Sequence, residues 1–310
     1  MVSRLLGTEI VTVFVGSKRK EFSVHKKLLC AASPVFRESL DVIPTGLSSS
    51  SAQQLWLENE ASEMFELFLL WLYQRRAFAT FLEEAIRSVS PGASFPPYPT
   101  LQNDTTRQAL HWNLVRLHVF ASMADIPALQ DAAMDAVQDM YLRCDWEATP
   151  RLVKYLYESC EHDHSVRLRK WAAAMVAWQL HGIDRSQVTA AQFQRLFDAH
   201  GDFVDDYNNH LQKLVQSKAN IMIKNPQLRL PRNKLKNEER FFGFRQCSFH
   251  SHRSTIGEGI CPLTQVHSPS RPSPWMRTKE DLDSDDSDAD PGILSPVSEV
   301  KTGVSRLGFI

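Results

Sequence analysis

The sequence predicts an α+β fold followed by an all-helical region and a disordered C-terminal tail. Three observations carry the prediction. The clear strand signals lie in the first forty residues, with one short apolar run, Gln54–Leu57, after them. Apolar residues spaced three and four apart then dominate from Leu110 to Leu214. From about Ser217 onward that periodicity fades, and Pro, Ser, Arg and Asp take over. Strands first and helices after, rather than alternation, is the pattern of an α+β domain leading into a helical one.

Each element has its own signal. In Ile10–Val15, Val11, Val13 and Val15 alternate with Ile10, Thr12 and Phe14, which predicts a strand buried on both faces. Gly16-Ser17-Lys18 is a turn, and Glu21–Val24 returns antiparallel as a hairpin. Lys26–Ala32 reads as a helix with Leu28 and Leu29 inward. Ser33 caps the next helix, Pro34 opens it, and Phe36 and Leu40 form its apolar stripe. Gln54–Leu57 is a short third strand, and Ala61–Tyr73 a strongly apolar helix. Ser88–Thr106 holds Pro91, Pro96, Pro97 and Pro99 and reads as a loop. Beyond it, Leu110, Leu114, Leu117, Ala121 and Ala124 share one helix face. Asp125 is expected to cap a further helix begun by Pro127, with Leu129, Ala133, Ala136 and Met140 inward. Thr149-Pro150 repeats the cap-and-proline start. Leu168, Trp171, Met175 and Trp178 mark a helix stopped by Gly182, and Phe203, Tyr207, Leu211 and Leu214 a last one.

The chain has 310 residues, 43% of them hydrophobic, and a net charge of −1. That supports a sizeable core and excludes a wholly basic nucleic-acid binder, though not a local basic patch. No apolar run approaches the roughly 20 residues that cross a bilayer. The nearest, Met64–Tyr73, is interrupted by Glu66, and Met1–Gly7 is too short for a signal peptide. Five cysteines in so long a chain are not a secreted disulfide framework. The expectation is a reduced intracellular protein, in nucleus or cytoplasm. Charge is unevenly placed. Lys218, Lys224, Arg229, Arg232, Lys234, Lys236, Arg240 and Arg245 crowd one stretch, and Glu280–Asp290 is acidic without a base.

The ordered set Ile10–Gly16, Glu21-Phe-Ser-Val-His25-Lys26, Leu28-Leu29-Cys30 and Ser33-Pro34-Val35-Phe36 resembles the start of a BTB/POZ domain. Phe65–Tyr73, ending in Leu72-Tyr73, resembles that family's third helix. Leu114–Phe120 and Asp125–Leu129 resemble its fourth and fifth. The chain is most similar to the BTB proteins of filamentous fungi, over about residues 8–142. The resemblance implies an assembly module that works by burying surface against a partner, homotypically or as a ubiquitin-ligase adaptor. Glu9 stands near where the family strand opens with Asp, and few residues precede that strand to be swapped in a dimer. Gly46–Ser51 lacks the acid that cullin-binding members carry there, so cullin binding stays open.

No phosphate loop, G-x-S-x-G or H-E-x-x-H stands in the sequence. His25 reads as a structural histidine orienting the hairpin, and Cys30 as a small core residue rather than its catalytic partner. His162 and His164, near Cys160, read as exposed polar residues between helices. Cys247, His250, His252, Cys261 and His267 are a different matter. Thiolate and imidazole are the ligands zinc prefers, and four of the five would close a tetrahedral site. The spacing is not that of a standard finger, so zinc, an ordered metal-free cap and a disordered linker all stay open. The basic stretch reads as a solvated helix end and linker rather than a phosphate-tracking surface.

The expected organisation is a BTB/POZ domain at 8–142, a helical domain at 148–216, a basic segment with the Cys/His cluster at 217–267, and a disordered acidic tail at 268–310. The expected function is non-enzymatic: a protein–protein interaction module, serving as scaffold or ubiquitin-ligase substrate adaptor. Its partners would be proteins, a cullin or a second copy among them, with no membrane and no nucleic acid. No cofactor is expected apart from zinc at the Cys/His cluster. The alternative is a nuclear DNA-associated regulator using the basic stretch and that cluster.

Overall fold

The computed structural model describes residues 7–41, 54–91, 101–181, 187–230, 243–245 and 247–253. It opens with strands β1 (Ile10–Val15) and β2 (Lys20–His25), helices α1 (Lys26–Ala32) and α2 (Pro34–Asp41), and strand β3 (Gln54–Leu57). The three strands form one mixed sheet in the order β2-β1-β3. β1 pairs antiparallel with β2, Val11 opposite Val24 and Val13 opposite Phe22. It pairs parallel with β3, Val13 opposite Leu55 and Val15 opposite Leu57. Val11, Val13 and Val15 are buried, but Ile10 is 42% exposed. The strand is therefore covered fully on one face only, with Ile10 exposed and Thr12 and Phe14 half-buried on the other. The hairpin turn needs Gly16. Its φ is +74°, and a Cβ there would stand 3.1 Å from the Glu60 carbonyl oxygen.

Ser33 caps α2 as its sequence position predicts, accepting from the Phe36 backbone N–H at 3.1 Å. Its hydroxyl also donates to the Ala124 carbonyl, tying the cap to the chain 91 residues on. Helix α3 (Ser62–Tyr73) buries Met64, Phe65, Phe68, Trp71 and Leu72. Helix α4 (Arg75–Val89) has no counterpart in the sequence reading. Its buried residues are Phe78, Leu82 and Ile86, spaced four apart, a stripe too sparse to stand out beside Arg75, Arg76, Glu83 and Glu84. Together with α5 (Leu101–Met123) it shortens the expected Ser88–Thr106 loop from both ends.

Helix α5 packs against α3, against α6 (Pro127–Cys144) and against α8 (His162–His181). Asp125 does not cap α6. It sits at φ 51°, a left-handed turn that Asp tolerates, and ends α5. With Pro127 already in the first helical turn, the capping position falls to Ile126, whose side chain supplies no hydrogen bond. Thr149 does cap α7 (Pro150–Lys154), accepting from Leu152 N–H at 3.3 Å. That helix runs straight into a π turn, Tyr155–Ser159. Helices α9 (Gln187–Ala199), absent from the sequence reading, and α10 (Gly201–Gln216) follow. Phe193, Leu196, Phe203 and Leu214 on these helices are buried.

Residues expected to be a solvated linker form strand β4 (Asn225–Leu230), which pairs parallel with β5 (Gly243–Arg245). β4 lies against α6 and α8. The Pro226 carbonyl accepts from Gln138 Nε2 at 2.9 Å and from Trp171 Nε1 at 3.3 Å, and Gln227 Nε2 donates to the Trp146 carbonyl at 2.6 Å. A proline costs this strand nothing, since it donates no bond in the ladder and its carbonyl does the anchoring. One cluster of buried side chains runs from Val11 through Tyr141, Cys144, Ala148 and Leu152 to Phe249. The tail at 268–310, expected to be disordered, lies outside the described residues.

Candidate functional site

Two concave regions stand out. The first is a groove of about 1100 Å³ between the β1–β2 turn, the loop after β3, α5 and the π turn, lined among others by Trp56, Glu60, Arg116, Phe120, Tyr155 and Cys160. Burial pushes the Glu60 carboxyl up to about 7, against the opposing pull of Arg116. Burial also raises the Cys160 thiol above its ordinary value. A raised thiol is a poor nucleophile, so the groove is not primed for covalent chemistry.

The candidate Cys–His pair near the N-terminus resolves the same way. His25 Nδ1 lies 2.7 Å from the Tyr73 hydroxyl, and His25 N–H donates to that oxygen at 3.2 Å. Cys30 is raised in pKa by burial. The Leu72-Tyr73 pair thus has a physical role, pinning the hairpin end to α3. His162 and His164 lie in the first turn of α8 beside Asp163 and Glu161, at 3.2 and 3.4 Å, and do not converge on Cys160.

The second region is the face of α6. Asp131, Asp135 and Asp139 are spaced four apart and so form one acidic stripe along the helix. The C-terminal segment lies down on it. Arg229 of β4 meets Asp139 through Nη2 at 2.5 and 2.6 Å and Asp135 through Nη1 at 2.8 Å. Burial lowers the guanidinium pKa, but the two carboxylates outweigh it and hold it above its ordinary value. At least this member of the basic stretch is an internal ion pair and not a solvated charge. Lys224 sits 4.9 Å from the Phe244 ring centroid, also within the protein.

Farther along the stripe, His250 Nε2 stands 2.9 Å from Asp135 Oδ1, and Ser251 N–H donates to Asp131 Oδ1 at 2.6 Å. His250, His252 and Asp131 bring their ligand atoms within 4.8 Å of one another, the one such group among the described residues. Of the five residues the sequence nominates, the structure brings together His250 and His252. Cys247 is buried one turn away, its carbonyl accepting from His250 N–H at 3.2 Å, and it is not in that group. Cys261 and His267 lie outside the described residues. Asp131 and Asp135 are not among the residues the sequence nominates. Their four-residue spacing opposite the inward Leu129 and Ala133 was a visible signal, but it reads first as an ordinary solvated helix face.

Residues 4–103 match the model of the BTB/POZ domain family. No curated protein matches the chain. The match covers the sheet, α1 to α4 and the start of α5.

Proposed function

We propose, from the BTB/POZ domain at residues 4–103, that this chain is a non-enzymatic scaffold or ubiquitin-ligase substrate adaptor. BTB/POZ domains are interaction modules that bind other proteins or themselves. The observation that carries the reading is the family match on an intact structural frame, with Val11, Val24, Leu29, Phe36, Phe65 and Phe68 closed into one core. In the neighbouring groove burial raises the Cys160 thiol, which disfavours nucleophilic chemistry at that residue. The alternative, a DNA-associated regulator, is weakened because Arg229 and Lys224 are engaged inside the protein.

Affinity purification of the full chain with mass spectrometry tests the proposal. Co-purification of a cullin supports the adaptor form, and of other proteins or a second copy the scaffold form. A chain that enriches no protein, yet binds mixed DNA with an affinity falling steeply from low to physiological salt, would favour the alternative.

A further inference from the structure

The face of α6 that receives the C-terminal segment holds an unresolved electrostatic problem. His250 is 1% exposed, and its Nε2 is committed to Asp135 at 2.9 Å. In the neutral ring, Nε2–H then donates to that carboxylate, and Nδ1 carries the lone pair. Nδ1 has no hydrogen-bond partner among the described residues. It faces Asp131 Oδ2 at 3.7 Å, too far for a hydrogen bond. A lone pair and a carboxylate oxygen, both acceptors, are thus turned toward each other in a buried place. His252 Nδ1 approaches the same oxygen at 3.8 Å. The other carboxylate oxygen, Oδ1, is held by Ser251 N–H, so Oδ2 is presented to both rings. A positive charge is needed between them. It is either a second proton on an imidazole or a cation.

We propose that Asp131, His250 and His252 bind a zinc ion that fastens the C-terminal segment to α6. The separations favour a shared ion. Two donors at about 2.1 Å from one tetrahedral zinc stand about 3.4 Å apart, close to the 3.7 and 3.8 Å found between Nδ1 and Oδ2. Asp135 is the outer carboxylate that fixes the tautomer and aims the metal-bound ring, and Arg229 in turn holds Asp135 at 2.8 Å. Imidazole and carboxylate together suit zinc better than magnesium or calcium, which prefer oxygen ligands throughout. Zinc's fourth position would be open to water. A groove of about 760 Å³ lined by Ala121, Ile126, Ala128 and Gln130 opens beside the site. The ion would bond a helix of the first half of the chain to a segment more than a hundred residues later, so its binding energy becomes stability of the docked segment.

The test uses the tag-free full chain. Elemental analysis should find about one zinc per chain. EDTA should lower the melting temperature, and zinc chloride but not magnesium chloride should restore it. His252→Asn, at a partly exposed position, should fold like the chelated wild type and weaken zinc binding at least about 100-fold. Asp131→Asn should do the same. Asp135→Asn should weaken it by about 10- to 100-fold as an orienting residue. A chain that purifies without zinc and whose melting does not respond to added zinc overturns the proposal, leaving a metal-free imidazolium clamp. So does zinc binding that survives both His252→Asn and Asp131→Asn.

Discussion

Acidification should destabilise the protein through its buried imidazoles, and one substitution isolates the effect. His111 and His118 are 4% and 0% exposed. Burial, with Arg151 near the first and Arg167 and His250 near the second, lowers them from 6.5 to about 4 and about 3. The sign follows from the two states. The unfolded chain takes up a proton at each ring as pH falls through about 6.5, and the folded chain refuses it until about 4 or 3. Stability is therefore whole above that window and drains away as pH falls through it. From pH 7 to pH 5 the loss is about 2 kcal/mol per ring. Glu60, raised to about 7 by burial, acts in the opposite direction and returns part of it. His118 offers the cleaner test, since neither of its nitrogens has a hydrogen-bond partner among the described residues. His118→Leu removes a titrating ring without breaking a bond. At pH 7 it should be neutral or stabilising. At pH 5, in EDTA so that metal release adds nothing, it should gain about 2 kcal/mol over wild type. That is a difference of roughly 4–8 °C in melting temperature for a folded region of this size. Calorimetry at the two pH values reads it directly. Parallel loss of stability in variant and wild type would refute the reasoning, because the ring would then be taking its proton inside the fold.

Other substitutions test the packing. Phe36, 1% exposed and 6.0 and 6.2 Å from the rings of Phe68 and Phe120, should cost about 3–5 kcal/mol when cut to alanine, read by urea unfolding. A near-neutral result would displace α2 from the core. Arg229→Met should cost about 2 kcal/mol, less than a fully buried pair, since Asp135 and Asp139 stay 25% and 37% exposed. The same variant should loosen the C-terminal segment selectively, seen as faster hydrogen exchange over residues 225–230 than over 10–15. Gly16→Ala should cost about 1–2 kcal/mol from its left-handed backbone alone.

The parts of this fold that were legible in the sequence are those written in local chemistry. Val11, Val13 and Val15 announce their strand by alternation, and Ser33-Pro34 and Thr149-Pro150 announce helix starts by capping. Elements stabilised by distant partners were not legible. α4 shows only Phe78, Leu82 and Ile86 inward. β4 carries Pro226, Gln227 and Arg229, which look solvated until Trp171, Gln138 and Asp139 are placed around them. The candidate metal group was half legible for the same reason. His250 and His252 lie close together in sequence, but Asp131 stands over a hundred residues earlier, and only the folded chain brings it to them.

The claim that this chain works by binding protein through its first domain is tested most directly by cross-linking mass spectrometry on the affinity-purified full chain. Lys18, Lys20, Lys26 and Lys27 ring the β1–β2 hairpin and the start of α1. Intermolecular cross-links, to a partner or to a second copy, should concentrate on these lysines. Enriched partners whose cross-links avoid them and fall only on lysines beyond residue 217, or a preparation with no intermolecular cross-link at all, would contradict it.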